Sequence, residues 1–144
     1  MLKRIHHAAI ICSNYEVSKR FYTEYLGLKV IAENYREARH SFKLDMALQD
    51  GGQVELFSFP NAPKRPSYPE AQGLRHLAFE VDDVDACKAK LESFGISIEN
   101  IRLDEYTGKR FVFFVDPDGL PLELYEQGAQ NKSYPRAACN TSRV

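Results

Sequence analysis

Apolar and polar residues alternate along this chain in a pattern that occurs twice. In the first half, residues 3–12 predict a buried strand, and Ser13 and Glu16 have the spacing of a capping box that opens a helix. Three further strands are predicted before residue 60, and residues 41–48 alternate most regularly. The first half is therefore predicted to have the order βαβββ.

A helix is predicted in each half, after its first strand. The first helix places Val17, Phe21 and Tyr25 on one stripe, which predicts that these three side chains face the core. The second helix is predicted to begin at Asp82 or Asp83, since aspartate is a preferred N-cap residue.

The second half repeats the order of the first. Its four strands are predicted at residues 73–81, 96–103, 109–115 and 120–126. The segment between the halves, residues 60–72, contains four prolines and is predicted to be a semi-rigid linker. We therefore predict one domain over residues 1–127, made of modules 1–59 and 73–127, and a C-terminal tail at 128–144.

Each module is predicted to carry a histidine on its first strand and a glutamate on its last, at nearly the same separation. His7 precedes Glu55 by 48 positions, and His76 precedes Glu123 by 47. If the first strand of each module pairs with the last, the two sheets can face one another. That arrangement predicts an α+β fold, an open eight-stranded barrel with the four residues at its centre.

The types of these four residues point to a metal site. An isolated carboxylate in an apolar strand is costly unless it is paired or bound to a metal. One such residue alone would fit a core histidine or a surface acid, but the matched spacing favours a shared divalent ion. Imidazole and carboxylate ligands suit nickel, cobalt, zinc, iron or manganese. The neighbouring His6 is expected to point away from His7, because adjacent strand residues face opposite sides.

Composition and charge argue against some kinds of partner and favour one cellular location. With 19 Lys and Arg against 20 Asp and Glu, the net charge is −1, so we expect no nucleic-acid or anionic-membrane partner. No apolar run is long enough to span a bilayer. The three cysteines, Cys12, Cys87 and Cys139, show no CxxC spacing, which favours a reducing, cytoplasmic location.

These motifs resemble the glyoxalase, or vicinal oxygen chelate (VOC), superfamily over about residues 3–126. The resemblance lies in the histidine segments 5–10 and 74–79 and in the ending 116–124, Asp-Pro-Asp-Gly-Leu-Pro-Leu-Glu-Leu. The paired βαβββ modules of that superfamily agree with the predicted order. Within it, the His/Glu/His/Glu set is similar to that of bacterial glyoxalase I (lactoylglutathione lyase).

The resemblance implies an activity and a role for each ligand. It implies a metal-dependent lyase or isomerase that converts a 2-oxoaldehyde adduct, a hemithioacetal, through a metal-bound enediolate. The metal set is His7, Glu55, His76 and Glu123, with nickel, cobalt or zinc ahead of iron or manganese. Glu123 is the expected catalytic base and Glu55 the second catalytic carboxylate. The substrate is a small molecule, and a homodimer is expected.

Two positions depart from glyoxalase I at residues that hold glutathione. An arginine four positions after the first histidine is here Ile11, and an asparagine four positions after the first glutamate is here Phe59. Lys109 does match a lysine that contacts glutathione in some members. Lys109 and Arg110 flank the expected mouth of the barrel and are the candidate substrate-binding residues. The thiol co-substrate stays open.

Two other functions are compatible with the same fold. An Fe(II) ring-cleaving dioxygenase uses two histidines and one carboxylate and leaves three metal positions open, whereas four protein ligands leave two. An antibiotic-resistance protein that sequesters its ligand lacks the metal ligands, although a thiol transferase acting on an epoxide antibiotic keeps some. Metal analysis and an assay with methylglyoxal and assorted thiols would separate these alternatives.

Overall fold

The predicted order of elements is present in both halves of the chain. The computed structural model describes residues 1–128, so the predicted tail lies almost wholly outside the described residues. The first module consists of β1 (His7–Cys12), α1 (Tyr15–Arg20), β2 (Lys29–Arg36), β3 (Ser41–Ala47) and β4 (Gln53–Ser58). The second consists of β5 (Leu77–Val81), α2 (Val84–Ser93), β6 (Arg102–Leu103), β7 (Arg110–Val115) and β8 (Pro121–Glu126). The fold is of the α+β class.

The strands form two four-stranded sheets, one in each module. The order is β1-β4-β3-β2 in the first sheet and β5-β8-β7-β6 in the second. The first strand of each module pairs in parallel with the last, and the other neighbours are antiparallel. No strand of one sheet pairs with the other within residues 1–128. The parallel pairing brings the histidine and the glutamate of each module side by side.

One apolar core joins the two modules. Alternate residues of each sheet are buried in it, among them Leu56 and Leu122. The helix of the first module reaches the second module: the ring of Phe21 lies 6.4 Å from that of Phe114. Helices and core therefore occupy one face of each sheet and leave the other face open.

Two of the three residues in the predicted stripe of the first helix face the core, since Phe21 is buried and Tyr25 packs partly against it. The N-cap of this helix is Asn14, whose side chain accepts a hydrogen bond from the backbone N–H of Val17 at 3.2 Å. Val17 is half-exposed, while Ser18 and Tyr22 are buried. After α1 the chain continues as a π-helical turn, Phe21–Tyr25, in which both Phe21 and Tyr22 are buried.

Two predicted strands are shorter in the structure. The segment 96–101 was expected to be part of a strand, but β6 covers only Arg102–Leu103. Within 96–101 the apolar side chains pack partly against the core, and the backbone N–H of Glu99 bonds the carbonyl of Phe113. β5 begins at Leu77, so His76 lies just before it. No helix within the described residues has the length and apolar character needed to cross a membrane.

Candidate functional site

The predicted ligands lie on the open faces of the two sheets. In the first sheet Glu55 stands between Ala9 and Asp45 in register. Its neighbours Val54 and Leu56 point into the core. Because successive strand residues face opposite sides, the side chain of Glu55 emerges on the face that the helices do not cover.

The first pair of ligands is His7 and Glu55. Nε2 of His7 lies 3.8 Å from Oε2 of Glu55, and the other carboxylate oxygen accepts a hydrogen bond from Nζ of Lys43 at 3.2 Å. Lys43 also bonds Asp45, and these two acceptors raise the pKa of its ammonium group. The lysine therefore stays charged at neutral pH and neutralises part of this acidic face.

His6 does not point away from His7, so that expectation was wrong. The Nδ1 atoms of the two rings are 2.9 Å apart, with the rings edge to face. β1 begins only at His7, so strand alternation does not govern His6. This contact leaves Nε2 of His7 as the ring nitrogen that faces the glutamate.

The second pair of ligands is His76 and Glu123. Nε2 of His76 lies 3.1 Å from Oε2 of Glu123. Glu123 is 9% exposed, and its register partner Phe113 stands edge-on to the histidine ring at 5.0 Å. No hydrogen bond to this carboxylate is formed within residues 1–128. A carboxylate so nearly buried, with one imidazole beside it, fits the coordination of a cation.

The donor set suits a divalent transition metal, but residues 1–128 of one chain do not bring the four donors together. Two imidazoles and two carboxylates are ligands that such ions accept. Among residues 1–128, no three His, Cys, Asp or Glu side chains come close enough together to hold an ion. Each chain thus presents two separate His–Glu pairs, one on each sheet.

A cleft of about 400 Å³ opens beside His76. The linker forms one wall: Arg65 donates from Nε to the Ser67 hydroxyl at 2.8 Å and from Nη2 to the carbonyl of Leu74 at 3.1 Å. Three arginines and two glutamates are among its lining residues, which gives the cleft an excess of positive charge. The linker therefore shapes a binding cavity as well as joining the modules.

Comparison with known proteins identifies the family. Residues 4–124 match the model of the "Glyoxalase/Bleomycin resistance protein/Dioxygenase superfamily". The chain belongs to this superfamily. Members of this superfamily include glyoxalase I, and the resemblance inferred from the histidine and glutamate motifs is confirmed.

Relatives within the superfamily cover most of the chain. YaeR of Escherichia coli (strain K12), a protein described as uncharacterized, is 62% identical over 126 residues, which are 88% of this chain and 98% of YaeR. A crystal structure of a glyoxalase family protein from Enterococcus faecalis is 51% identical, with a TM-score of 0.80, and the match covers 86% of this chain and 98% of that one. Glyoxalase I of Saccharomyces cerevisiae is 25% identical over 93% of this chain and 48% of its own length.

The two candidate substrate-binding residues lie on opposite faces of the second sheet of this superfamily member. Nζ of Lys109 lies 5.8 Å from the ring centre of Tyr125, on the face that carries the ligands. Arg110 is on the helix side: it donates to Glu126 at 3.0 and 2.9 Å and lies 2.7 Å from Asp85. Its guanidinium is engaged within the chain, so the structure does not support a substrate contact there.

Sequence reasoning missed the side chains that surround the pairs. Arg65 lies in a proline-rich segment without periodicity, which carries no signal of orientation. Lys43 follows strand alternation and could have been placed beside Glu55, had the register of β3 on β4 been predicted. Register was not predicted, because it depends on the loop that joins the two strands.

Proposed function

We propose that the protein is a metal-dependent lyase or isomerase of the glyoxalase I type, acting on a 2-oxoaldehyde adduct of a thiol. The observation that supports this most strongly is the pair of His76 and Glu123, a nearly buried carboxylate 3.1 Å from an imidazole beside an open cleft. Nickel, cobalt or zinc is the proposed metal.

We infer that the site is completed between two copies of the chain. The pairs are separate within one chain, and each sheet leaves the face that carries its pair open. If the first sheet of one copy meets the second sheet of the other, His7 and Glu55 come together with His76 and Glu123. A symmetric homodimer would contain two such sites.

The residues of the chain divide the chemistry between them. His7, Glu55, His76 and Glu123 would hold the divalent ion, which would supply a Lewis acid for two neighbouring substrate oxygens. Glu123 is the proposed base that removes the proton from the adjoining carbon. Glu55 suits this role less, because Lys43 donates to its carboxylate. Phe113 packs edge-on against the His76 ring, so it helps to position the imidazole beside the carboxylate of Glu123.

Two measurements test the proposal: the metal content of the protein and the rate at which it exchanges the substrate proton. Protein made without a histidine tag is expected to hold about one divalent ion per chain, and His76→Ala to lose most of it. Glu123→Gln is expected to keep more metal than His76→Ala but to exchange the acidic proton of a methylglyoxal–thiol adduct about 10²–10⁴-fold more slowly, the usual cost of losing a base. Elemental analysis and NMR of the exchange in D₂O measure both effects.

The matched control is His40→Asn. His40 is exposed and lies in the left-handed backbone region (φ 46°), which asparagine tolerates. This variant removes an imidazole outside the site and should leave metal content unchanged. If His76→Ala retains the wild-type metal content, the assignment of ligands is wrong. If Glu123→Gln exchanges the proton at the wild-type rate at equal metal occupancy, Glu123 is not the base.

A further inference from the structure

An arginine is held against two aromatic rings on the open face of the first sheet. The guanidinium of Arg36 lies 4.9 Å from the ring centre of Phe57 and 5.4 Å from that of Phe59. Its Nη2 donates to the Ser41 hydroxyl at 3.0 Å. Two rings and one hydroxyl therefore define the position of this cation, because a guanidinium stacks favourably on aromatic faces.

This cation lacks a counter-charge within the described residues. No carboxylate of residues 1–128 pairs with Arg36, and its Nε is buried without an acceptor. Nη1 also has no acceptor in that part of the chain, but it is open to solvent. Buried polar groups are nearly always hydrogen-bonded, and half-burying an unpaired charge is costly. A ligand could supply the missing anion at Nη1, the exposed end of the guanidinium.

The second sheet contains the same arrangement with its anion in place. Arg102 lies 5.0 Å from the ring centre of Phe111 and 5.3 Å from that of Phe113, and its Nη2 donates to Glu99 at 3.1 Å. The modules thus share an arginine above two phenylalanines. A carboxylate completes the arrangement in the second module, whereas no carboxylate of residues 1–128 completes it in the first.

The unpaired arginine is close to the first pair of ligands. Phe57 follows Glu55 by two positions on β4 and on the same face, a separation of about 7 Å. Lys43 also lies over Phe57, but it is neutralised by Asp45 and Glu55. Arg36 is therefore the free cation beside the pair among the described residues, and it offers one positive charge.

We propose that Arg36 binds a carboxylate of the substrate, so that the 2-oxoaldehyde–thiol adduct is itself a small organic acid. A single guanidinium matches the charge and the planar geometry of a carboxylate, whereas a phosphate dianion calls for further cations. The carboxylate would lie within a few bonds of the reacting oxygens, because Arg36 stacks on Phe57, which is two positions from Glu55 on β4. The placement relative to the metal rests on the proposed function; the carboxylate site itself does not.

Binding to metal-free protein tests this inference. Pyruvate, lactate and succinate are titrated by calorimetry into chelator-treated full-length protein, with inorganic phosphate as a separate arm. Arg36→Met is expected to weaken carboxylate binding by about tenfold to hundredfold, the usual loss for charge-assisted hydrogen bonds. Arg36→Lys should restore part of the affinity, since lysine keeps the positive charge but lacks the planar pair of N–H donors of a guanidinium. Circular dichroism verifies that each variant is folded.

The matched control is Arg39→Met, which removes the same charge from the turn Glu37–Arg39 next to β2. It should leave affinity within about twofold of wild type, because an exposed charge acts weakly at a distance. Equal losses in Arg36→Met and Arg39→Met, tighter binding of phosphate than of carboxylates, or no carboxylate binding to wild type would each overturn the inference. Failure of the metal prediction would leave this result intact, so the two proposals can fail separately.

Discussion

At the scale of single residues, one buried hydrogen bond joins the two modules. Tyr22 is fully buried, and its hydroxyl donates to Oδ2 of Asp116 at 2.9 Å. The other oxygen of Asp116 accepts from the backbone N–H groups of Asp118 and Leu120 at 2.9 and 2.8 Å. Burial raises the pKa of Asp116, and the donors, including Tyr22, oppose that shift. Asp116 thus holds the turn before β8 and, through Tyr22, binds the helical segment of the first module.

Tyr22→Phe is expected to lower the free energy of unfolding at pH 7 by about 1–3 kcal/mol, because Oδ2 of Asp116 stays buried without a donor. Loss of the donor raises the folded-state pKa of Asp116 further above the unfolded value. Stability is then lost as pH rises through that pKa. The penalty should therefore be larger at pH 7 than at pH 3, as measured by urea denaturation.

The control is Tyr106→Phe, which removes a hydroxyl from a side chain that is 90% exposed. It should be neutral at both pH values. A Tyr22→Phe protein as stable as wild type at pH 7 would show that the hydrogen bond between the modules contributes nothing.

At the scale of elements, an ion-pair network fastens α2 to its sheet. Arg110 on β7 bonds Glu126 on β8 and lies against Asp85 on α2. Glu126 also accepts from the backbone N–H of Val84 at 3.3 Å, at the start of α2. The residue that the sequence suggested for substrate binding therefore supports the helix.

Arg110→Met is expected to lower the melting temperature at pH 7 while leaving carboxylate binding unchanged. Arg110 holds the pKa of Glu126 below its ordinary value of 4.5. This contribution is present above pH 4.5 and is lost as pH falls through the lowered pKa. The difference from wild type in thermal melts should accordingly narrow toward pH 3.

Lys88→Met provides the comparison, since it removes an ion pair with Glu92 that lies within α2. It should change the melting temperature less, because an ion pair between neighbouring turns of one helix contributes little. If Arg110→Met keeps its fold but loses affinity for carboxylates, Arg110 contacts the substrate after all.

The element order could be predicted from the sequence, whereas several orientations could not. The repeated order suggested that the first and last strands of each module pair, and this pairing brings His7 near Glu55. The orientation of His6 depends on where β1 begins, and that of Arg110 on its register with β6. These depend on tertiary contacts that local periodicity does not contain.

At the scale of the whole molecule, each chain presents half of a ligand set on each sheet. The proposed homodimer predicts that a mixture of His7→Ala and His76→Ala chains recovers metal binding that neither has alone. A mixed dimer contains one damaged and one intact site. Random mixing of equal amounts should restore about a quarter of the wild-type four-ligand sites. Elemental analysis after denaturing and refolding the chains together measures the recovery.

The control mixture is His7→Ala with Glu55→Ala. Both substitutions fall on the first sheet, so every site in the mixed dimer is damaged whichever way the chains pair. Recovery in the first mixture only would locate the site between chains. No recovery in either mixture would mean that the ligands come together within one chain.

The contrast between Arg36 and Arg102 has an evolutionary consequence. A dimer of chains with two identical modules would carry the same side chains on both walls of each site. When the two modules are encoded in one gene, their sequences can diverge, and both are still made in equal amounts. Within residues 1–128, Arg36 on the first sheet has no carboxylate partner, whereas Arg102 on the second sheet donates to Glu99. In the proposed homodimer, each site would therefore be lined by two unlike sheets encoded by one polypeptide, an asymmetry that suits an asymmetric substrate.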